Sequence, residues 1–518
     1  MGSSVSVYLA GAALSCWLLH SIYQLLTSHL SDIPGPFWAR YTRLWYLYKS
    51  NAGNFHLENI KLHHTYGKIV RVAPNMYSIS SVDKVVYGAG SHFAKSAWYD
   101  SWKHPDPKNI TLFSETNIKR HNESRRRVQG MFSMSTMVSY EAQIHEINKV
   151  FLQKLHHFAE TGETIPLDHW LQCYAFDAVA SITFSKTFGF LNEGEDIEGM
   201  MAALDKGNNY SSWAGVYPEL HPYLYPILER IPASGAAGMG KMIRFIKRMI
   251  ATRRQQRADE GTGGEKPKVG HTGDQRAPED FLDKVLNVQA KDPSKVTDAH
   301  IFALGWSNIS AGSDTTGVSL TAILYHLSRN TRALDKLLKE ILAVEAEGKC
   351  TRDSFSFAQS QTMPYLQACI KEALRVHAAV GLPLWRVVPE GGRQICGRHF
   401  PQGSVVGVNA WVAHSDEAVF GSDAHEFRPE RWLEADEDEL RALNAAWIPF
   451  GAGSRTCIGR HISMLEINKL LPLLLMNFEF ELIDKEWTTE TFFFVKPNQF
   501  KARIKARRVC RDTSDKYT

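Results

Sequence analysis

Cysteine, net charge and internal repeats are all scarce in this chain, and each scarcity excludes a class of protein. The 7 cysteines among 518 residues form no CxxC pair and no short-spaced cluster, which is too dispersed for a disulfide framework. The same spacing excludes a zinc ribbon and an iron–sulfur cluster, because both need Cys ligands a few residues apart. A cysteine that does chemistry here does it alone. Lys+Arg number 59 against 55 Asp+Glu, a net charge of +4, without the basic stripe of a nucleic-acid binder, so no nucleic-acid partner is expected. No repeat period is present. With 44% hydrophobic and 22% charged residues, the chain is neither disordered nor fibrous.

Charge is missing altogether from residues 5–26, which hold no Asp, Glu, Lys or Arg. At about 1.5 Å per residue the run covers roughly 30 Å, the thickness of a bilayer's hydrocarbon core, and it exceeds the core of a cleaved signal peptide. Arg40, Arg43 and Lys49 follow it and no basic residue precedes it. The positive-inside rule then predicts a single-pass membrane protein with its body in the cytosol. Residues 1–30 are therefore expected to be a membrane anchor and 31–518 one catalytic domain, with Pro34-Gly35-Pro36 as a stiff neck between them.

Beyond the neck, residues 55–90 read as a small sheet, with alternating β-branched stretches such as Lys68 to Ala73 and Tyr77 to Ser80 broken by Pro74-Asn75. From about 140 to 345, apolar residues recur at three- and four-residue spacing, which predicts helices. Residues 253–279 are charged and Gly-rich and read as a surface loop. Strand signals return at 393–395, 404–408 and 478–482. The expected class is mainly α with minor β.

The most specific stretch is Phe450-Gly451-Ala452-Gly453-Ser454-Arg455-Thr456-Cys457-Ile458-Gly459, followed by a helical pattern from Ile462. Its glycines permit a tight turn and close approach of a flat ligand around one cysteine at the mouth of a helix. The helix N-terminus with Arg455 and Arg460 is expected to lower the thiol pKa and favour the metal-ligating thiolate. A dinucleotide fingerprint fails because position 456 is Thr. A buried structural cysteine is the competing reading, although Phe-x-x-Gly-x-Arg-x-Cys-x-Gly arises by chance at this composition with a probability of only roughly 10⁻⁴.

Two further patterns carry chemistry less specifically. Ala311-Gly312-Ser313-Asp314-Thr315-Thr316 lies within an apolar helical stretch over 301–327. Small and hydroxylated residues in mid-helix weaken the backbone ladder and open a groove, and an adjacent acid and alcohol can relay protons. The bland alternative is a helix break with a local cap. Glu372-Ala-Leu-Arg375 puts both charges on one face of an amphipathic helix beginning at Pro364, upstream of Pro429-Glu430-Arg431-Trp432.

Taken together and in this order, these motifs resemble those of the cytochrome P450 superfamily, the haem-thiolate monooxygenases, over nearly the whole chain. Within it the chain looks most like fungal microsomal members of the pisatin demethylase-like group. The resemblance implies a cytochrome P450 fold preceded by an N-terminal transmembrane helix, at the endoplasmic reticulum membrane with the catalytic domain cytosolic. It implies haem as cofactor, with Cys457 as the iron ligand and Phe450 and Gly459 of the same loop against the porphyrin. Asp314 and Thr315 become the proton relay, and Glu372, Arg375 and Arg431 a structural ion network. His121, Arg125, Arg386 and Arg455 match positions that hold the haem propionates, although the basic run around His121 also fits an exposed helix.

The implied activity is insertion of one oxygen atom from O2 into a lipophilic small molecule, in secondary metabolite biosynthesis. Electrons would come from a separate NADPH-cytochrome P450 reductase, met by basic residues such as Arg460 and Lys469. By family position the substrate walls are residues 97–113, 210–225, 306–310, 380–384 and 492–495, mostly apolar and aromatic. Two alternatives keep the haem but not the activity: a P450-fold isomerase or dehydratase, and a membrane-anchored haem sensor without turnover.

Overall fold

Residues 30–103, 111–232, 234–261, 279–484 and 486–507 are described by the computed structural model of the chain. Helices dominate: α1 (Phe55–Tyr66), α2 (Ile118–Val128), α3 (Glu141–Thr161), α4 (Leu167–Phe184), α5 (Met200–Ala214), α6 (Gly235–Gly261), α7 (Asp298–Arg329), α8 (Pro364–Val376) and α9 (Arg460–Asn477) are the ones that matter for the site. Their ends follow local chemistry. Asn117 caps α2 by accepting from the Arg120 N–H, and Pro364 opens α8 with its fixed φ. On α3 the buried residues Ile144, Ile147, Phe151, Leu155 and Phe158 follow the helical repeat and face the core. On α4 and α9 nearly every residue is buried, and α7 runs between them through the main hydrophobic core.

The strands are short. β1 (Ile69–Ala73), β2 (Met76–Ile79), β3 (Ala94–Lys95), β5 (Arg386–Val387) and β8 (Val405–Val408) form one sheet in the order β1-β2-β8-β5-β3. Only the β2–β8 pair is parallel, and β3 meets β5 with Lys95 opposite Arg386. β4 (Thr164–Pro166), β9 (Phe478–Leu482) and β12 (Lys501–Ala506) make a second sheet, β6 (Arg393–Ile395) and β7 (Arg398–Phe400) pair, and β10 (Thr489–Phe492) and β11 (Phe494–Pro497) form a hairpin with Phe493 at its tip.

Three sequence expectations need correction. Residues 55–66 are helix, not sheet, because the buried face of α1 includes His56 and Asn59 and so conceals its apolar period. The charged segment expected to be a loop from residue 253 continues α6 to Gly261, where Arg253 pairs with Asp280 and Asp283; residues 262–278 lie outside the described ones. The transmembrane helix is not supported: among the described residues no helix is long and apolar enough to cross a membrane. The stretch over 5–26, on which the anchor and the single-pass endoplasmic reticulum placement were expected, lies outside them. The fold observed is mainly α with minor β.

Candidate active site

A cavity of about 690 Å³ opens between the Cys457 loop, the middle of α7, α2 and the tip of the β10–β11 hairpin. The loop is shaped by its glycines. Gly451 and Gly453 adopt φ of +70° and +63°, and a Cβ on Gly453 would stand 2.1 Å from the Tyr87 carbonyl oxygen, so no other residue fits there. The Cys457 N–H donates to the Phe450 carbonyl at 2.8 Å, closing the loop so that Phe450, Cys457 and Gly459 all line the cavity.

The thiol pKa differs from expectation. Protein encloses Cys457 while its side chain stays accessible from the cavity, and burial raises the pKa above the ordinary thiol value. The backbone N–H groups of Gly459 and Arg460 and the charges of Arg125 and Arg460 oppose the rise without cancelling it. A bound metal cation supplies the missing stabilisation for a thiolate.

Around its rim the cavity gathers basic side chains. Lys95, Arg125, Arg386 and Arg455 line it, and among the described residues none of the four has an ion-pair partner within 4.0 Å. Arg125 and Arg455 each donate one hydrogen bond to a backbone carbonyl, of Thr456 and Glu115 at 2.8 Å. The second terminal nitrogen of Arg455 is buried without a partner among the described residues, and burial beside Arg386 lowers its pKa to about 10. Burial, with Arg386 and Arg455, also holds the Lys95 pKa well below the ordinary ammonium range. Unpaired buried cations are costly, and they suit a ligand that brings two carboxylates. Haem fits on that ground: a lone sulfur on one wall, carboxylate partners on the rim, and glycine backbone between.

His121 is buried at the cavity wall and not on an exposed basic face; burial and Arg455 lower its pKa to about 4, so it is neutral at pH 7. Sequence reasoning misses Lys95. The β3–β5 register that sets Lys95 opposite Arg386 is a pairing between segments almost 300 residues apart, with no local signal.

Behind the Cys457 loop, Glu372, Arg375 and Arg431 meet in one buried cluster. Glu372 accepts from Arg375 at 2.8 and 2.9 Å, from Arg431 Nε at 2.9 Å, from Trp432 Nε1 at 2.9 Å and from the Arg428 N–H at 3.0 Å. Both guanidinium groups also bond backbone carbonyls. His414 ties the cluster to the approach to the loop: its Nδ1 donates to the Arg375 carbonyl while its Nε2 accepts the Ile448 N–H at 2.9 Å. Trp432 and His414 were not anticipated.

On α7 the helix is unbroken, contrary to the expected groove. Its hydroxyls bond carbonyls one turn back, as Thr315 does to Ala311 at 2.7 Å and Ser319 to Thr315 at 2.8 Å. Thr315 lines the cavity and Asp314 does not. The Asp314 carboxylate is buried against α4, α5 and β11, where Gln172, Asn208 and Lys496 donate to it.

Most of the expected walls are present: Tyr99, Trp102 and Phe113, then Trp306, Val380 and Phe493, line the cavity. The segment 210–225 contributes only Ser211, and α5 lines it earlier, at Leu204 and Asn208. Lys469 is buried on Glu141 and the Phe355 carbonyl and is unavailable to a partner, whereas Arg460 is exposed.

Fold and cavity together define a haem-dependent enzyme with a thiolate ligand. The family model described as Cytochrome P450 matches residues 34–503, and the chain belongs to that family. It is 37% identical over 497 residues to a pisatin demethylase of Fusarium vanettenii, covering 95% of this chain and 92% of that protein. It is 36% identical over 487 residues to the cytochrome P450 monooxygenase cicH of Emericella nidulans, covering 92% and 94%. With the cytochrome P450 monooxygenase mpaDE of Penicillium roqueforti it shares 33% over 490 residues, 92% of this chain and 55% of that longer protein. The chain is thus a haem-thiolate monooxygenase, an oxidoreductase that acts on a small molecule with O2.

Proposed function

We propose that Cys457 is the thiolate ligand of the haem and that residues 31–518 form one catalytic unit that hydroxylates or similarly oxidises a lipophilic metabolite. The observation that carries this reading is one cavity with the Cys457 sulfur on one wall, four basic side chains on the rim that have no ion-pair partner among the described residues, and Thr315 on the α7 wall. Haem, when bound, supplies the activation of O2.

The chain's own residues do the rest. Arg125, Arg386 and Arg455, with Lys95 and neutral His121, hold the two propionates, while Phe450 and Gly459 bound the ring. Thr315 presents its hydroxyl on the α7 wall, and Asp314 is the acid behind it that resupplies protons. Glu372, Arg375 and Arg431 keep the Cys457 loop in place without touching the cavity. Water is kept out by an aromatic wall in which Trp102 lies 5.3 Å from Phe113 and 4.7 Å from Phe493, ring centre to ring centre. Such a wall favours an apolar, aromatic-bearing substrate of secondary metabolism, in keeping with the fungal relatives. An NADPH-dependent reductase supplies the electrons, docking on the exposed face that includes Arg460.

The test is co-expression with NADPH-cytochrome P450 reductase and a panel of lipophilic terpenoid, polyketide and aromatic compounds. A compound is expected to raise NADPH and O2 use with a product one oxygen heavier. Haem-loaded protein whose reductase-dependent oxygen use no compound raises would contradict the reading.

A further inference from the structure

Asp314 is a fully buried carboxylate on the central helix, and its surroundings come from three other elements. Gln172 on α4 and Asn208 on α5 offer amide donors, the latter at 3.3 Å. Its charged partner is Lys496 on β11, at 3.0 Å, and no other cation stands within ion-pair distance among the described residues. The same ammonium reaches Asp205 on α5, a carboxylate about half exposed to solvent. Lys496 therefore joins a surface acid to a buried one.

Its backbone position gives this contact further weight. Lys496 lies three residues beyond Phe493, which holds φ at +83°, a conformation bulky residues rarely take. That tip is pinned by the Gly381 N–H donating to the Phe493 carbonyl and the Val495 N–H donating to the Ala379 carbonyl, both at 2.9 Å. Phe493 and Phe494 wall the cavity, and the next residue but one after Phe494 holds Asp314. Burial raises the Asp314 pKa and Lys496 opposes that rise; burial disfavours the Lys496 charge, but Asp314 and Asp205 hold its pKa above the ordinary ammonium range. Without Lys496 only neutral amides would remain to stabilise a buried charge, and the acid would take up a proton.

We propose that Lys496 is a positioning residue of the proton relay, holding Asp314 charged and turned toward α5 and β11, away from the cavity that Thr315 lines, and linking it to solvent through Asp205. This rests on the assignment of Asp314 and Thr315 as the relay. Proton supply then depends on where the hairpin keeps the ammonium, and Thr315 receives no proton until Lys496 releases the acid.

The test compares Lys496→Met, Lys496→Arg, Asp314→Asn and the double variant Lys496→Met/Asp314→Asn in the haem-loaded full chain. Infrared difference spectra at neutral pH are expected to show a protonated carboxyl band in Lys496→Met that is absent from the parent, from Lys496→Arg and from the double variant. In reductase-supported NADPH oxidation without added substrate, hydrogen peroxide per NADPH should change at least about threefold in Lys496→Met, with an altered solvent deuterium isotope effect, and Lys496→Arg should restore it. The double variant should match Asp314→Asn. A Lys496→Met variant that matches the parent in both assays, while Asp314→Asn differs, overturns the role of Lys496 and leaves the relay intact. An Asp314→Asn variant indistinguishable from the parent overturns the relay and this inference with it. Should Lys496→Met fail to fold, Lys496→Gln removes the same charge while keeping a polar side chain, and the same outcomes decide.

Discussion

Glu372 and Asp314 are both buried carboxylates, one behind the Cys457 loop and one behind Thr315, and their partners differ in kind. Glu372 has two arginines and an indole N–H, all three from buried residues, and the backbone N–H of the half-buried Arg428. Asp314 has one lysine, shared with a half-exposed acid, and two amides. Breaking the first cluster leaves guanidinium charges stranded in the interior, so it acts as a fixed anchor. The second can lose its lysine to solvent and keep neutral donors, so it suits a group that must change protonation. Glu466, on α9, marks a third condition: among the described residues neither of its oxygens has a hydrogen-bond partner, and burial pushes its pKa up to about 8, only partly opposed by the nearby Thr316 hydroxyl, which donates to Ser463.

The largest effect is expected from breaking the anchor. Glu372→Ala strands Arg375 and Arg431 and should cost about 3–5 kcal/mol, read as a lowered unfolding midpoint and failure to retain haem. A variant with parental stability would remove the distinction between the two clusters.

Glu466→Gln probes the unpaired case. A carboxyl whose folded pKa is raised contributes stability that is fully present below its unfolded pKa and is lost as pH rises through about 8. The amide variant should therefore match the parent near pH 4.5 and exceed it by on the order of 5 kcal/mol above pH 8. Urea unfolding across that range checks it, and a gain independent of pH would contradict the assignment.

The distal side should yield the smallest change in energy and the clearest change in chemistry. Thr315→Ala removes a hydroxyl that among the described residues bonds only the Ala311 carbonyl, so stability and haem content should be nearly unchanged. Product per NADPH should fall roughly tenfold. Tight coupling in that variant would place the relay elsewhere.

The same contrast explains what was legible in the sequence. The Cys457 loop, the Glu372–Arg375 spacing and the strands at 393–395 and 478–482 are local patterns, and the structure forms them where the residues suggest. The apolar spacing predicts the central helix over 301–327, and it runs Asp298–Arg329. The surroundings of Asp314 were not legible, because Gln172, Asp205, Asn208 and Lys496 come together only through tertiary packing. Lys95 and His414 escaped for the same reason. The Cys457 thiol pKa runs opposite to the sequence expectation because helix N–H groups and arginines can be counted along the chain, while burial cannot.

The reduced carbon monoxide difference spectrum of the purified protein, with and without Cys457, tests the central claim most directly. The parent should show the thiolate-type band, Cys457→Ala should lose it, and Cys369→Ala, a buried thiol outside the cavity, should keep it. An unaltered spectrum in Cys457→Ala would contradict the account.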